Sequence, residues 1–411
     1  MLIDFILKMI NHLGFFIKRA FLIYKYPSFE KQLNRLKIFN TSKKTIVFID
    51  TDCIVGGSQK ITSQLGKSLK NLNIRTIYIA TEFFGISKDW KNKILNSFSI
   101  FIDIRASFNK EKKILKLLNT VHPQYVVIIN SKIGYKLAPI IKNLYPKIII
   151  YDIIHASINI DNDFISADES AQNIDIRITV CKGLKKNLLE NYSSYSKNNF
   201  QNKIITITNG TQINNLNDTT TNLNFRNKLG INQKDFVVLF IGIFSEHKNP
   251  MSVLKISEKI IKDYNDIHFI LFGNGPLKNL IKYNIYKRGI SNNTHVIDNS
   301  NDIYSVLYDA DVLILPSVVE SFGLVIIEAM SVGIPTIVSN VGYQSEIIDN
   351  GINGFLINPD NNLLHNYIKN ILLLKNNKNI YKKIKINGLK KVKNKFDINS
   401  TLNKYHELFI K

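Results

Sequence analysis

Cysteine is scarce in this chain of 411 residues, which holds two, Cys53 and Cys181. Two cysteines make neither a disulfide framework nor a cysteine-based metal cluster, and their scarcity fits a reducing compartment. The eight histidines show no ligand spacing among themselves or with the cysteines, so the sequence predicts no metal site. A Walker phosphate-binding loop, a Gly-x-Ser-x-Gly nucleophile elbow and an aromatic RNA-binding pattern are also missing.

Long apolar runs are missing as well, and no stretch approaches the roughly 20 apolar residues of a membrane-spanning helix. The apolar stretches near the N-terminus are interrupted by charges and are too short for a signal peptide. Their apolar residues recur at steps of three and four: Leu2, Phe5, Ile6, Met9, Ile10, Leu13, Phe16 and Ile17. This spacing predicts a basic amphipathic helix, which would either lie on an anionic membrane or pack on the neighbouring domain.

Acidic residues are few, because 32 Asp and Glu stand against 54 Lys and Arg, which gives a formal net charge of +22. Such a balance favours anionic partners such as nucleic acid, phosphorylated ligands or an acidic membrane face. The chain is also rich in Lys, Asn and Ile, so compositional drift is the alternative explanation for much of the lysine excess. Since charge alone gives only non-specific attraction, we predict no nucleic-acid partner.

Short apolar runs rich in β-branched residues alternate with helical stretches from Thr45 onward. Continuous apolar strands with helices between them are typical of parallel sheets buried on both faces. Thirteen runs predict strands, at residues 45–50, 76–80, 99–104, 125–130, 147–153, 176–180, 204–207, 236–242, 267–273, 295–299, 312–316, 336–340 and 355–358. The chain is too long for one core, so we predict an α/β fold of two Rossmann-like, doubly wound domains that face each other across a cleft.

The polar, turn-rich segment from Asn209 predicts the linker between these domains. The predicted order is a basic amphipathic segment, two Rossmann-like domains and a C-terminal helix that packs back on the first domain. The corresponding boundaries are 1–43, 44–208, 209–394 and 395–411.

Glycines follow several predicted strands, at the sheet edge where a ligand would bind. Gly57 follows the first strand, Gly242 ends the first strand of the second half, and Gly275 lies after the next one. A glycine lets backbone N–H groups approach an anion, although a tight turn is an equally good explanation. Lys248, before the next predicted helix, could reach a diphosphate or remain a solvated surface lysine. His155 follows another strand, where it could contact a sugar hydroxyl or a phosphate or be purely structural.

Two carboxylates interrupt the apolar stretch PSVVESFGLVIIEAMSVG, residues 316–333. Glu320 precedes a predicted helix, and Glu328 lies on it about one and a half turns after Gly323. The helix is apolar on nearly every side, and a buried carboxylate needs a partner. The hydroxyls of a bound ribose are suitable partners, and an ion pair with a lysine is the alternative.

These motifs together resemble the retaining glycosyltransferases of family 4, which have the GT-B fold. ESFGLVIIE, with two Glu separated by seven residues, resembles the donor-binding motif of that family. GGSQK, IITITNG, GIFSEHKN and LFGNGPL resemble its other motifs in the same order. The resemblance covers roughly residues 45–400, and the ordered combination is specific where any single motif would be weak.

The resemblance implies roles for individual residues. Lys248 would bind the donor diphosphate, Glu328 the ribose, and His155 the transferred sugar near the reaction centre. The implied catalytic residues are His155, Glu320 and Lys248. The implied donor-binding residues are Gly57, Gly242, Lys248, Gly275, Glu320, Phe322, Gly323, Leu324 and Glu328.

By the same resemblance, the chain would move a hexose-type sugar from a UDP- or GDP-sugar to a glycan or polyprenyl-linked acceptor, with retention and without a metal. Residues 44–208 would form the acceptor side and 209–394 the nucleotide-sugar domain. The expected role is cell-surface polysaccharide synthesis in the cytoplasm, with peripheral attachment to the inner membrane face as a further hypothesis. One departure is Ile243, which stands where the family has arginine. It favours the alternative of a non-catalytic GT-B protein that binds a sugar nucleotide or a partner subunit.

Overall fold

The computed structural model describes residues 29–37, 43–51, 56–82, 94–105, 107–155, 172–192, 201–213, 225–298 and 303–410. The amphipathic helix predicted from residues 2–17, Cys53 and most of the predicted linker lie outside these ranges. No helix in the described ranges has the length and apolar character to cross a membrane.

The chain divides into two compact units, which differ in detail from the boundaries expected from the sequence. The first unit comprises Met1–Thr179, Lys185–Thr206 and Tyr405–Lys411, and the second comprises Val180–Leu184 and Ile207–Lys404. The C-terminal residues of the first unit lie against its sheet, where the Phe409 ring is 5.1 Å from that of Tyr151. The domain boundaries proposed from the sequence stay predictions.

The first unit is built on a seven-stranded parallel sheet with the order β3-β2-β1-β4-β5-β6-β7. Its strands are β1 (Thr45–Asp50), β2 (Arg75–Ala80), β3 (Ile100–Asp103), β4 (Tyr125–Ile129), β5 (Ile149–Ile154), β6 (Ile176–Thr179) and β7 (Ile204–Thr206). Every residue of β1, β2 and β4 is buried, as expected for central strands covered on both faces. The strand order reverses between β1 and β4.

In the described ranges, one helix precedes β1 and four helices connect successive strands, as parallel pairing requires. They are α1 (Phe29–Lys37), α2 (Gly57–Asn71), α3 (Lys110–Val121), α4 (Lys132–Leu144) and α5 (Lys182–Asn191), with a 3-10 turn at Gln201–Lys203. Helix α4 begins after a capping residue, Ser131. The Ser131 hydroxyl accepts a hydrogen bond from the Gly134 N–H at 3.2 Å and so caps the first turn of the helix.

The second unit has a six-stranded parallel sheet with the order β10-β9-β8-β11-β12-β13. Its strands are β8 (Phe236–Ile241), β9 (Ile267–Phe272), β10 (Thr294–Ile297), β11 (Val312–Leu315), β12 (Thr336–Ser339) and β13 (Phe355–Ile357). The order reverses between β8 and β11, and open α/β sheets bind ligands at the carboxyl edge of such a reversal.

The helices of the second unit are α6 (Phe225–Lys228), α7 (Pro250–Ile260), α8 (Lys278–Lys287), α9 (Ile303–Leu307), α10 (Leu324–Ser331), α11 (Leu363–Asn376) and α12 (Lys378–Lys395). The last helix, α13 (Ile398–Ile410), begins in the second unit and ends in the first. Two 3-10 turns, Glu246–Lys248 and Gln344–Glu346, follow β8 and β12. Helix α10 is nearly enclosed, and α12 packs on it where Gly388 lies close to Met330.

The predicted fold class is confirmed, since both halves are Rossmann-like units with parallel sheets. All thirteen predicted strands are present, and their ends differ from the predicted ones by at most two residues. The agreement between predicted and observed strands has a physical cause. Strands buried on both faces must be apolar along their whole length, so they are easy to recognise in the sequence.

Candidate functional site

Lys248 and Glu320 form an ion pair at the carboxyl edge of the second sheet. Lys248 ends the 3-10 turn after β8, and Glu320 lies in the loop between β11 and α10. The two loops therefore meet at the reversal of strand order, where a ligand is expected. The exposed fractions of the two side chains are 26% and 12%, so the charges lie mostly below the surface while the lysine keeps access to solvent.

Backbone contacts hold this pair in place from three loops. The N–H of Val318 donates to the His247 carbonyl at 2.8 Å, which joins the loop after β11 to the loop after β8. The loop after β12 approaches from the other side, where a Cβ atom on Gly342 would lie 1.9 Å from the Glu320 carbonyl oxygen. The Gln344 side chain then donates to the Ser321 carbonyl at 3.0 Å. Glu320 is thus fixed by its backbone, which leaves its carboxylate to bind a charged or hydroxyl group.

Gly242 and Gly275 lie where the loop after β9 crosses the loop after β8. A Cβ atom on Gly273 would lie 1.9 Å from the Gly242 carbonyl oxygen, and one on Gly275 would lie 2.7 Å from the Phe244 backbone. Glycine is required at 273 and 275 for this crossing. A Cβ atom on Gly242 would instead meet its nearest neighbour at an ordinary 3.5 Å, so internal packing does not explain the glycine at that position.

The start of α10 presents backbone N–H groups at the same edge. Gly323 precedes the helix with a φ of 81°, in the left-handed region that glycine adopts at little cost. The N–H groups of Gly323 and Leu324 lie before or within the first turn, which leaves donors without intrahelical acceptors and a partial positive charge. Phe322 is buried, and its ring lies 5.9 Å from that of Phe396. Phe322 therefore anchors the helix start, while the amides around it can bind an anion.

Glu328 lies inside α10 and is 4% exposed. Its neighbours in sequence, Ile326, Ile327 and Ala329, are fully buried, so the helix is enclosed on most sides around this carboxylate. Charged groups are rarely placed there unless a hydrogen-bonding partner stabilises them. The burial that the sequence predicted for this helix is therefore present, and the role of the Glu328 carboxylate stays a proposal.

The two candidate residues of the first unit lie at the carboxyl edge of its own sheet. His155 follows β5 directly, and Gly57 is the first residue of α2, which follows β1. Burial lowers the pKa of His155 to about 4, so its imidazole is neutral at neutral pH. A neutral imidazole can donate one hydrogen bond and accept another, which suits a sugar hydroxyl better than a phosphate.

Asn130 is a candidate that the sequence analysis did not identify. It follows β4, between β1 and β5 in the sheet, and it has a φ of 48°. Its Oδ1 atom is buried and has no hydrogen-bond partner in the part of the chain that the structure describes. Left-handed backbone and an unsatisfied polar atom are both costly, and both occur preferentially at functional sites. The available signal was a polar residue closing the apolar run YVVIIN.

Several other sequence predictions have a clear position in the structure. Ile243, in place of the family arginine, is 48% exposed in the loop after β8. Cys181 is buried, and burial raises the pKa of its thiol to about 12, so it is unreactive. The described residues contain no group of three or more His, Cys, Asp or Glu that could hold a metal ion. Metal independence of any reaction stays a prediction.

Comparison with known proteins shows that part of this chain is similar to glycosyltransferases. Residues 222–391 match the family model for glycosyl transferases group 1. An uncharacterized glycosyltransferase of Methanocaldococcus jannaschii is 30% identical over 141 residues, which is 34% of this chain and 36% of the relative. The UDP-Gal:alpha-D-GlcNAc-diphosphoundecaprenol alpha-1,3-galactosyltransferase of Escherichia coli is 32% identical over 187 residues, or 44% of this chain and 47% of the relative. The chain thus spans less than half the length of these curated relatives.

Solved structures extend the likeness to both units. The Anabaena protein HepE in complex with UDP and glucose superposes with a TM-score of 0.75 at 17% identity. The match covers 89% of this chain and 99% of that one. An identity this low supports a conclusion about the fold alone. The superposition shows that the chain has the GT-B fold.

Proposed function

We propose that this chain is a glycosyltransferase that moves a hexose-type sugar from a nucleoside diphosphate sugar to a glycan or polyprenyl-linked acceptor, with retention of configuration. The observation that carries the proposal is the Lys248–Glu320 pair at the carboxyl edge of the second sheet. It lies inside the segment that matches the group 1 glycosyltransferase model. A partly exposed cation beside a carboxylate suits a ligand that has both a diphosphate and sugar hydroxyls.

The donor would lie along the edge formed by the loops after β8, β11 and β12. Lys248 and the free amides at the start of α10 would bind the diphosphate, and Glu320 would bind hydroxyls of the sugar. Glu328 would accept from the ribose. UDP is the first nucleotide to test, because HepE is seen with UDP and the Escherichia coli relative is named for UDP-Gal. GDP is the second.

The chemistry would rest on stabilising the departing nucleotide. As the bond from the anomeric carbon to the phosphate oxygen breaks, negative charge grows on the diphosphate, while a bond forms from the acceptor hydroxyl oxygen to that carbon and the hydroxyl proton passes to the departing phosphate. The Lys248 ammonium and the partial positive charge at the N-terminus of α10 would stabilise that charge. Lys248 would leave Glu320 for the diphosphate, which frees the Glu320 carboxylate for the sugar.

Residues of the first unit would bind the transferred sugar and the acceptor. His155 is neutral at neutral pH because its pKa is lowered to about 4, so it would act as a hydrogen-bonding group and not as a cation. Asn130 would offer its unsatisfied Oδ1 to a substrate hydroxyl. Gly57 would bring the start of α2 to a phosphate. We further propose a role in cell-surface polysaccharide synthesis, in the cytoplasm.

A calorimetric titration with UDP and GDP in the presence of EDTA tests the donor site. Lys248→Gln is expected to weaken nucleotide binding about tenfold to a hundredfold, the loss expected for a charged hydrogen bond. Lys255→Gln is the matched control, because Lys255 is an exposed lysine of α7 and should bind normally. Absence of binding by the folded wild-type chain would contradict the proposal.

The non-catalytic alternative rests on one observation, the exposed Ile243 where the family has arginine. It is distinguished by following UDP release from UDP-glucose and UDP-galactose after binding has been measured. Nucleotide binding without release of UDP, in the presence of candidate acceptors, would favour a binding protein. Release that depends on Lys248 would favour the enzyme.

A further inference from the structure

Helix α12 has a strongly basic outer face. The helix contains eight lysines and no acidic residue. Six of these lysines are exposed, and five of the six lie within an arc of about 140° at 3.6 residues per turn, with Lys395 outside it. We call this set the α12 stripe: Lys378, Lys382, Lys383, Lys390 and Lys393. In the part of the chain that the structure describes, none of the five forms an ion pair.

The contacts of the opposite face of α12 show that the α12 stripe faces outward. Ile384, Gly388 and Val392 are buried on the opposite face, where Gly388 lies against Met330 of α10. Lys391, which is outside the stripe, donates to Asp349 at 2.7 Å. The stripe is therefore the outward surface of a helix held by its core contacts, and its lysines have no role in that packing.

Two large apolar side chains are exposed within and beside the stripe. Ile386 is 51% exposed and lies near the centre of the arc. Ile352 is 53% exposed on the adjacent loop, whose position is fixed by a 2.9 Å hydrogen bond from the Asn387 side chain to the Ile352 carbonyl. Single exposed apolar residues are common on protein surfaces, so these two matter only through their position among the five cations, an arrangement that fits a partner with an anionic surface over an apolar layer.

We propose that the α12 stripe docks on an anionic membrane surface. Clusters of four to eight basic residues on an amphipathic helix are a known mode of binding to acidic headgroups. Ile386 and Ile352 would enter the boundary between headgroups and acyl chains, as apolar residues of interfacial helices do. Nucleic acid fits the surface less well, since the stripe has neither arginine for base edges nor an aromatic side chain for stacking.

Docking in this way would place α10 about one helix diameter from the lipid surface. Helix α12 separates the stripe from α10, which carries Glu328, and one helix with its side chains is about 10–12 Å thick. A polyprenyl-linked acceptor would then be within reach of the second unit. Membrane docking itself is independent of the proposed reaction, because vesicle binding requires no turnover.

The test is vesicle flotation with the full-length chain, using phosphatidylcholine vesicles with and without phosphatidylglycerol. One variant carries Lys→Gln at the five stripe positions. The matched control carries Lys→Gln at five exposed lysines elsewhere, which gives the same change in net charge: Lys67, Lys112, Lys147, Lys234 and Lys255. Circular dichroism and melting curves check that both variants are folded. Ile386→Ser tests the apolar contribution at unchanged charge.

The wild-type chain is expected to bind only the anionic vesicles, and about 1 M salt should release it because the screening length falls to about 3 Å. The stripe variant should lose at least about tenfold in partition coefficient, with a smaller loss for Ile386→Ser and little loss for the control. Equal losses in stripe variant and control would show a general charge effect and overturn the proposal. So would an unaffected stripe variant, a wild type that does not bind, or a stripe effect seen on duplex DNA but not on vesicles.

Discussion

Gly342 packs so closely on Glu320 that a Cβ atom on the glycine would lie 1.9 Å from the Glu320 carbonyl oxygen. No side chain fits there without moving one of the two loops that hold the Lys248–Glu320 pair. Gly342→Ala is therefore expected to destabilise the protein by about 1–3 kcal/mol through overpacking. It should also weaken UDP binding, because the displaced backbone carries the Glu320 carboxylate. Urea unfolding and calorimetry measure the two effects.

Gly242→Ala should be compared with Gly342→Ala, because it tests nucleotide binding without an expected loss of stability. The added Cβ would meet protein atoms only at 3.5 Å or more, so the free energy of unfolding should change by less than about 0.5 kcal/mol. If a diphosphate approaches this backbone, UDP affinity should nevertheless fall. Unchanged UDP affinity in a stable Gly242→Ala protein would remove Gly242 from the donor site.

Glu328→Gln separates a ligand-binding carboxylate from a structural one. Glutamine keeps the size of the side chain but loses the charge, so a ribose held by Glu328 should bind about tenfold to a hundredfold more weakly. The melting temperature without nucleotide should change little. UDP titration and thermal melting of the same preparation provide the two readings. A large drop in melting temperature at unchanged UDP affinity would assign Glu328 to the interior of the fold.

Ile243→Arg tests whether the departure from the family pattern limits nucleotide binding. Ile243 is 48% exposed, so an arginine can be placed there without disturbing the core. A guanidinium can bind a phosphate through two hydrogen bonds, and UDP affinity should rise about tenfold. Leu144→Arg is the control for added charge, because Leu144 is an exposed residue of the first unit. Equal effects of the two substitutions would show that position 243 is not special.

The sequence predicted the strands well, because they depend on local patterns, whereas the roles of the candidate site residues stay predictions. Continuous apolar runs identify strands covered on both faces, and a carboxylate in an apolar helix identifies Glu328. The pairing of Lys248 with Glu320 was not predicted, since 72 residues separate them in the chain. The close approach of Gly273 to Gly242 was not predicted either, because it depends on how the loops after β8 and β9 meet.

Asn130 illustrates a second limit of prediction from sequence, which concerns backbone conformation and unsatisfied buried atoms. Its importance derives from a φ of 48° and an Oδ1 atom without a partner among the described residues. Neither property is visible in the letters YVVIIN, which show only that an apolar run ends in asparagine. Backbone strain and the satisfaction of a buried atom are outcomes of tertiary packing, so they become apparent only in three dimensions.

The histidine pair on β9 and β10 predicts a loss of stability in acid. His295 stacks on His268 at 5.8 Å, and His268 lies 3.2 Å from Asp235. Burial, together with the neighbouring His268, lowers the pKa of His295 to about 4. Between pH 6.5 and 4 the unfolded chain therefore binds a proton at this position while the folded chain does not, so stability falls as the pH falls through that window.

His295→Phe keeps the ring stacked on His268 but cannot titrate. The His295 Nε2 atom has no hydrogen-bond partner among the described residues, so this substitution removes no bond at that atom. Between pH 7.5 and 5.0, the wild type should lose about 1–2 kcal/mol more unfolding free energy than the variant, a figure discounted for partial solvent screening of the ring. Urea unfolding at the two pH values measures the difference. Because His155 also has a lowered pKa, part of the acid loss should remain in His295→Phe, and an identical pH dependence of the two proteins would show that His295 titrates normally.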